Sequence, residues 1–528
     1  MNFAARLDRL AVERPHQRAL VRPAGRDPRD GRRLWSQLTF RELQDETNAT
    51  ARGLQAAGVR EGDRVILLVK PSFEFFSLIF GLWKLGAVPI LIDPGMGLSG
   101  FLACVAQIRP RVCIGIPTAM ILSKVKASAF KSVELRITVG PSTWFWGGET
   151  LPMIKDPGDF ETLDRSPEEL AGVLFTSGST GPAKGVRYSH GMFDAQAVRI
   201  AKMYGIEAGQ VDVPCFLPFA MFSCVMGMTV VLPDMDFAKP ATAQPEALVE
   251  AVLAHGADQL VGSPAVMKRL AAHGVPMPSL KRVLTFGAPI PRPLHEAFRE
   301  LLSEGVEVHT PYGATESLPV ATTSSSQILA DTGERTASGE GTCVGSLAPD
   351  TTVRVIGITD EAIEAWSEDL VVPVGQVGEI CVKGPHVSRE YVGRPEATKA
   401  SKIPDGEGLW HRMGDLGFFD GQGRLWFCGR KSHRVTCSDG EVLFPVPLEG
   451  VFNEVDGVVR SAVVEVSGAP VLVVEGKADE AKLLEVAKAN PVTRRVERVL
   501  FHPGFPVDRR HNAKIHRLEL RDWARGRA

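Results

Sequence analysis

The chain has no surplus of charge: 60 Lys and Arg stand against 62 Asp and Glu over 528 residues, a formal net charge of -2. A balanced surface gives no electrostatic reason to expect a nucleic acid or an anionic membrane as partner. Cysteine is scarce. The eight, at 104, 113, 215, 224, 343, 381, 428 and 437, form no C-x-x-C pair, so they signal neither a zinc cluster nor a disulfide scaffold and suit a reducing cytoplasm. No targeting segment is evident, since Met1 to Arg9 carries charge and amphipathic spacing without an apolar core and small-residue cleavage site. One uncharged stretch, Val213 to Leu232, is long enough to cross a bilayer. Pro214 and Pro218 interrupt its first turns, and Asp212 and Asp234 flank it with no basic anchor, which favours buried segments of a domain core over a transmembrane span. No short-period repeat is present. What remains is ordinary globular composition, 44% hydrophobic and 23% charged, at a length suited to roughly two to four domains.

Along the chain, Thr39-Phe40-Arg41-Glu42 reads as a capping box opening a helix that Gly58 stops. A buried strand (64–69), an apolar helix (73–85) and a second strand (88–92) follow, an order that implies a crossover and a parallel sheet. The alternation recurs in helix 245–255, strand 259–261, helix 266–273, strand 282–285, helix 294–302 and strand 306–308, which predicts α/β architecture. Residues 322–342 are rich in Ser, Thr and Gly without apolar period and read as a mobile loop; five acids in 360–369 around Ile363 and Trp366 read as a solvated helix. Short strands follow from Gly378, Gly429-Arg430-Lys431-Ser432 reads as a joint, and the remainder predicts a compact α+β unit.

The sharpest local signal is Thr176-Ser177-Gly178-Ser179-Thr180-Gly181-Pro182-Ala183-Lys184-Gly185, between an apolar strand (171–175) and Val186-Arg187-Tyr188. Glycines that turn N–H groups inward, four hydroxyls and the Lys184 cation make a nest for polyphosphate. It is not a Walker loop, because Pro182-Ala183 separate the second glycine of the pattern from the lysine.

This segment resembles the phosphate loop of the adenylate-forming superfamily: acyl-CoA synthetases, peptide-synthetase adenylation domains, luciferases and β-lactone synthetases. Further segments resemble that family's motifs in the same order: Gly287-Ala288-Pro289, Tyr312-Gly313-Ala314-Thr315-Glu316, Trp410-His411-Arg412-Met413-Gly414-Asp415-Leu416-Gly417, Gly429-Arg430, and Pro506 with Asn512-Ala513-Lys514-Ile515. The resemblance implies a large N-terminal domain (1–429) of parallel-rich sheets with helices and a β-barrel-like part. It also implies a hinge (430–432) and a small mobile C-terminal α+β domain (433–528). It implies ATP and Mg²⁺ as cofactors, with Thr176, Ser177, Gly178, Ser179, Thr180, Gly181 and Lys184 on the phosphates. Gly287, Ala288 and Pro289 would stand on the adenine side with Tyr312, Gly313 and Ala314, and Asp415 would grip the ribose.

Each assignment has a chemical rationale and a plainer alternative. Activating a carboxylate by attack on the α-phosphate develops charge over several oxygens, so cations and oriented donors supply most of the catalysis. Glu316 offers a hard oxygen for Mg²⁺ and Thr315 a donor to the α-phosphate. Tyr312 offers a flat face for adenine, although read alone it is an ordinary core tyrosine. Asp415 can accept from both ribose hydroxyls or be a turn residue beside Gly414. Arg430 reads as a nucleotide contact or a surface charge. Lys514 lies in a basic stretch that also reads as a solvated face, and Ala513 stands where the family carries glycine. As the family's mobile catalytic lysine, it would neutralise charge between carboxylate and α-phosphate.

Departures from the family bear on the acceptor and count against a thiol. No histidine occupies Phe219-Ala220-Met221-Phe222, where thioester-forming relatives often carry one, and Ser432 stands at the pivot in place of Asp or Lys. By overall pattern the chain resembles most the β-lactone synthetases of bacterial olefin biosynthesis. That implies activation of a long-chain 2-alkyl-3-hydroxy acid and attack by its own hydroxyl, and allows assembly with other olefin-pathway enzymes. Phe216, Phe219, Met221, Phe222, Met226 and Met228 would then line an alkyl tunnel or be plain core, and His190 and His433 are candidate bases. An acyl-CoA or acyl-carrier ligase, and a nucleotide-binding protein without turnover, are the alternatives.

Overall fold

The computed structural model describes residues 1–141, 149–175, 183–508 and 514–527. Its contacts divide the chain into two compact units, residues 1–262, 272–282 and 385–398, and residues 263–271, 283–384 and 399–528. The second unit includes all described residues of the expected small domain.

The first unit contains a seven-stranded sheet in the order Glu149–Thr150, Leu135–Thr138, Val112–Gly115, Arg64–Leu68, Val88–Ile92, Leu170–Phe175, Gly185–Ser189. Its strands pair in parallel except the last, which turns back antiparallel to Leu170–Phe175. Helices Phe73–Lys84 and Gly97–Ile108 cross between its strands, so the parallel arrangement follows from the strand-helix-strand order in the sequence. The capping box is formed: the Glu42 backbone N–H donates to Thr39 Oγ1 and the Thr39 N–H donates to the Glu42 carboxylate. A second group of strands has Val211–Pro214, Thr229–Val231 and Gln259–Gly262 in parallel, and Arg18–Arg26 beside Thr229–Val231. Residues 213–232 are thus a strand, the helix Leu217–Val225 and another strand, and among the described residues no helix is long and apolar enough to cross a membrane.

In the second unit, where a barrel-like part is expected, the strands form an antiparallel sheet. Its order is Thr352–Ile356, Gly378–Lys383, Gly408–Phe419, Leu425–Arg430, Thr342–Leu347, Ser317–Ser324, Glu307–Ala314. The residues after the joint build a three-stranded sheet, Val458–Val466, Ala469–Gly476 and Arg498–Phe501. Leu448, Phe452, Val463, Leu472, Leu483 and Val499 share its core.

Two expectations are overturned here. Residues 322–342 are not a loop, because the strand Ser317–Ser324 runs into helical turns over 325–337 that include the π-helical Ile328–Thr332. Charge holds this segment in place of an apolar stripe. Arg335 lies 4.4 Å over the Trp426 ring and pairs with Asp420, and Asp331 pairs with Arg424. Residues 360–369 are not a helix; only Glu368–Leu370 make a 3₁₀ turn. Their side chains are tied one by one, Trp366 stacked on Trp410 at 4.1 Å and Asp360 paired with Arg434, and these separate anchors replace a helical ladder.

Candidate active site

The segment Tyr312 to Glu316 is the end of a tight hairpin. Strands Glu307–Ala314 and Ser317–Ser324 pair with Tyr312 opposite Ala321 and Ala314 opposite Ser317, leaving Thr315 and Glu316 as the two turn residues. The register shifts between Tyr312 and Ala314. A Cβ at Gly313 would lie 2.6 Å from the Ser317 carbonyl oxygen and 2.8 Å from Leu318 Cδ1, so only glycine passes there. One hairpin tip thereby presents an aromatic ring, a hydroxyl and a carboxylate within five residues. Glu316 is 9% exposed despite its place in a turn.

Asp415 lies on the strand Gly408–Phe419, with Arg430 of Leu425–Arg430 as its cross-strand partner. Arg430 Nη1 is 3.0 Å from Asp415 Oδ1, and the Tyr312 hydroxyl donates to Asp415 Oδ2 at 2.7 Å. Burial, with 3% of Asp415 exposed, pushes its carboxyl above the ordinary carboxylate value. Arg430, the Tyr312 hydrogen bond and Lys514 pull it down, while Glu316 adds to the rise. The Tyr312 phenol is pushed well up, first by burial and then by the Asp415 charge. Its ring is tilted against Phe427, 6.2 Å between centroids. The second unit therefore brings Tyr312, Glu316, Asp415, Arg430 and Lys514 into one electrostatic neighbourhood, and Thr315 shares the hairpin tip.

Around the joint, Arg430 also donates to the Met413 carbonyl at 3.3 Å. Lys431 and Arg412 meet on one carboxylate: Lys431 Nζ is 3.1 Å and Arg412 Nη2 2.6 Å from Oε2 of Glu379, which is 1% exposed. Two cations on a buried carboxylate anchor the start of the joint to the antiparallel sheet. Lys514 sits beside the bridge between Val507 and Ile515, its N–H donating to Asp508 Oδ1 at 2.8 Å and its carbonyl accepting from the Asp508 N–H at 3.0 Å. Asn512 and Ala513 lie outside the described residues. Gly287, Ala288 and Pro289 follow the strand Arg282–Thr285, with Gly287 at φ +102°.

Sequence reasoning missed Lys402, 6% exposed on the strand Lys402–Asp405 opposite His411. Burial lowers its ammonium to about 7, and the nearby Glu316 carboxylate opposes that shift. Nothing in Ala397 to Ile403 distinguishes it; only the antiparallel pairing shows that this lysine is inside.

Thr176, Ser177, Gly178, Ser179, Thr180 and Gly181 lie outside the described residues. The strands on either side of them pair with Phe175 opposite Gly185. Lys184, in the first unit, places its ammonium 4.8 Å from the Tyr391 ring centroid. His190 is committed to the core: its Nδ1 accepts the Phe3 N–H at 3.1 Å, and burial lowers its pKa to about 4. His433 is lowered to about 3, first by burial and then by Arg517 and Arg430. Phe219, Met221, Phe222 and Met228 are buried, and the Phe222 ring packs against Phe3, Phe193 and Phe219, the arrangement of plain core. Among the described residues no cluster of three His, Cys, Asp or Glu could hold a metal by itself. A single Glu316 oxygen suits an ion such as Mg²⁺ that keeps waters and shares phosphate oxygens.

The profile of the family described as AMP-binding enzyme matches residues 7–392. The sequence is 44% identical to an olefin beta-lactone synthetase of Stenotrophomonas maltophilia, over 99% of this chain and 98% of that protein. It is 42% identical to an olefin beta-lactone synthetase of Xanthomonas campestris pv. campestris, over 99% and 97%. The crystal structure of ATP-bound MatB from Rhodopseudomonas palustris superposes with a TM-score of 0.80 at 22% identity, covering 99% of each chain, a likeness of fold alone.

Proposed function

The chain belongs to the AMP-binding enzymes, as an adenylate-forming ligase, and we propose that it closes a β-lactone from a long-chain 2-alkyl-3-hydroxy acid at the expense of ATP. The observation that carries this reading is the similarity to olefin beta-lactone synthetases over 99% of the chain. It is supported by the cluster at the hairpin tip, which has the donors and charges that such a reaction requires.

In the first step a carboxylate oxygen of the acid attacks the α-phosphorus of ATP, and the bond to pyrophosphate breaks. Asp415 accepts from the ribose hydroxyls, Tyr312 offers its ring to the base, and Thr315 donates to the α-phosphate. Lys184 and the hydroxyls of 176–180 engage the outer phosphates. Mg²⁺, held by Glu316 and phosphate oxygens, would supply positive charge to the polyphosphate. Lys514 neutralises the charge that develops between the carboxylate and the α-phosphate. In the second step the 3-hydroxyl oxygen attacks the acyl carbonyl, the bond to AMP breaks and the hydroxyl proton is released. Ring strain opposes closure, but the phosphate is a good leaving group and the nucleophile is on the same molecule. No thiol is needed, in keeping with the helix Leu217–Val225, which carries no histidine and is packed as core.

The test is to incubate the protein with ATP, Mg²⁺ and a racemic 2-alkyl-3-hydroxy acid without thiol. A neutral lactone with AMP and pyrophosphate is expected. AMP release that depends on added CoA would instead identify a thioester-forming ligase, and bound nucleotide with no product would identify a protein without turnover. A cytoplasmic setting suits the eight free, buried cysteines.

A further inference from the structure

Asp415 is gripped from two sides: its Oδ2 accepts the Tyr312 hydroxyl at 2.7 Å, and its Oδ1 faces Arg430 Nη1 at 3.0 Å. The torsion that turns a carboxylate is broad and nearly two-fold, so an aspartate alone does not hold its oxygens in one plane. Accepting from two neighbouring sugar hydroxyls requires such a plane, and the Tyr312 hydrogen bond is its directional restraint, whereas Arg430 is an ion-pair neighbour that makes no hydrogen bond to Oδ1. They are not equivalent. The Arg430 side chain is 37% exposed, whereas Tyr312 is half-buried, donates the hydrogen bond and is fixed by three features. These are the pairing opposite Ala321, the bulge at Gly313 that admits no side chain, and the contact with Phe427. The tyrosine is the rigid half of the grip.

We infer that Tyr312 is a positioning residue whose hydroxyl orients Asp415 toward the ribose, so that sugar selectivity depends on the Tyr312–Asp415 hydrogen bond separately from any contact of the ring with the base. This rests on the nucleotide reading proposed above. A hydrogen bond to a buried carboxylate is strong enough for its loss to cost about tenfold in affinity. That loss should be confined to nucleotides carrying the hydroxyls that Asp415 receives.

The test is calorimetric titration of the full-length protein with ATP and with 2′,3′-dideoxy-ATP, in the absence of acid substrate. The unsubstituted protein is expected to bind ATP at least about tenfold more tightly than 2′,3′-dideoxy-ATP. Tyr312→Phe, which keeps the ring, is expected to bind ATP about tenfold more weakly while holding 2′,3′-dideoxy-ATP within about twofold. Tyr312→Trp, which also keeps a flat ring and removes the hydroxyl, repeats the measurement should the first variant fold poorly. In an Asp415→Ala background, Tyr312→Phe is expected to cost nothing further. Equal losses for both nucleotides, or an ATP affinity that does not change, would overturn the inference and leave the nucleotide reading intact. Failure of the unsubstituted protein to bind ATP would overturn both.

Discussion

At the scale of single residues, Asp415 shows how burial and charge are set against each other. Burial, at 3% exposure, raises its carboxyl above the ordinary carboxylate value, and the Arg430, Tyr312 and Lys514 partners pull against that rise. Lys514 thus already acts on the nucleotide-side carboxylate, although its proposed work is on the reacting phosphate. Lys514→Ala is expected to slow acyl-adenylate formation by about 100-fold or more in single-turnover measurements, while ATP affinity changes by no more than about threefold. Unchanged single-turnover rates would remove Lys514 from the chemistry. The residue types at this site were legible from motif spacing; their mutual contacts were not. Nothing in the chain order of Tyr312 and Asp415 shows that a phenol and a carboxylate meet, because strand pairing between distant segments decides it. Lys402 was hidden for the same reason: a lysine in a polar stretch looks solvated until the strand opposite it is known.

At the scale of elements, the parallel sheet and its helices followed from hydrophobic runs and caps. Helix Pro245–His255 and strand Arg282–Thr285 have the bounds the sequence predicts. The helical turns over 325–337 did not follow, since their anchors are Arg335 on Trp426 and Arg424 on Asp331, partners about 90 residues away that no local period records. A comparable long-range network tethers the helix Leu217–Val225. Ser223 Oγ donates to Asp212 Oδ2 at 2.6 Å, Gln259 Nε2 to Oδ1 at 3.1 Å, and Arg282 Nε to the Gln259 side-chain oxygen at 2.9 Å. Burial raises the Asp212 carboxyl to about 7, against the pull of Ser223, Gln259 and Arg282. Between the ordinary carboxylate value and about 7 the folded chain keeps a proton that the unfolded chain has lost, so this group's contribution to stability falls as pH rises through that window. The loss amounts to at most about 4 kcal/mol. Asp212→Asn cannot ionise, so its melting temperature should fall less than the parent's between about pH 5 and pH 8. Parallel melting curves for the two proteins across that range would show that Asp212 does not titrate there.

At the scale of the whole molecule, the residues assigned to the nucleotide run from Thr176 to Lys514 along the sequence. Full-length chemistry is therefore the proper readout of the account, whose central claim is that this chain joins a carboxylate to the α-phosphate of ATP. The most direct measurement supplies the hydroxy acid with ¹⁸O in its carboxylate and follows the label by mass spectrometry. Attack on phosphorus and later cleavage of the acyl C–O bond leave one ¹⁸O in AMP and none in pyrophosphate, and that is the predicted result. Unlabelled AMP, or label in inorganic phosphate accompanied by ADP, would contradict it.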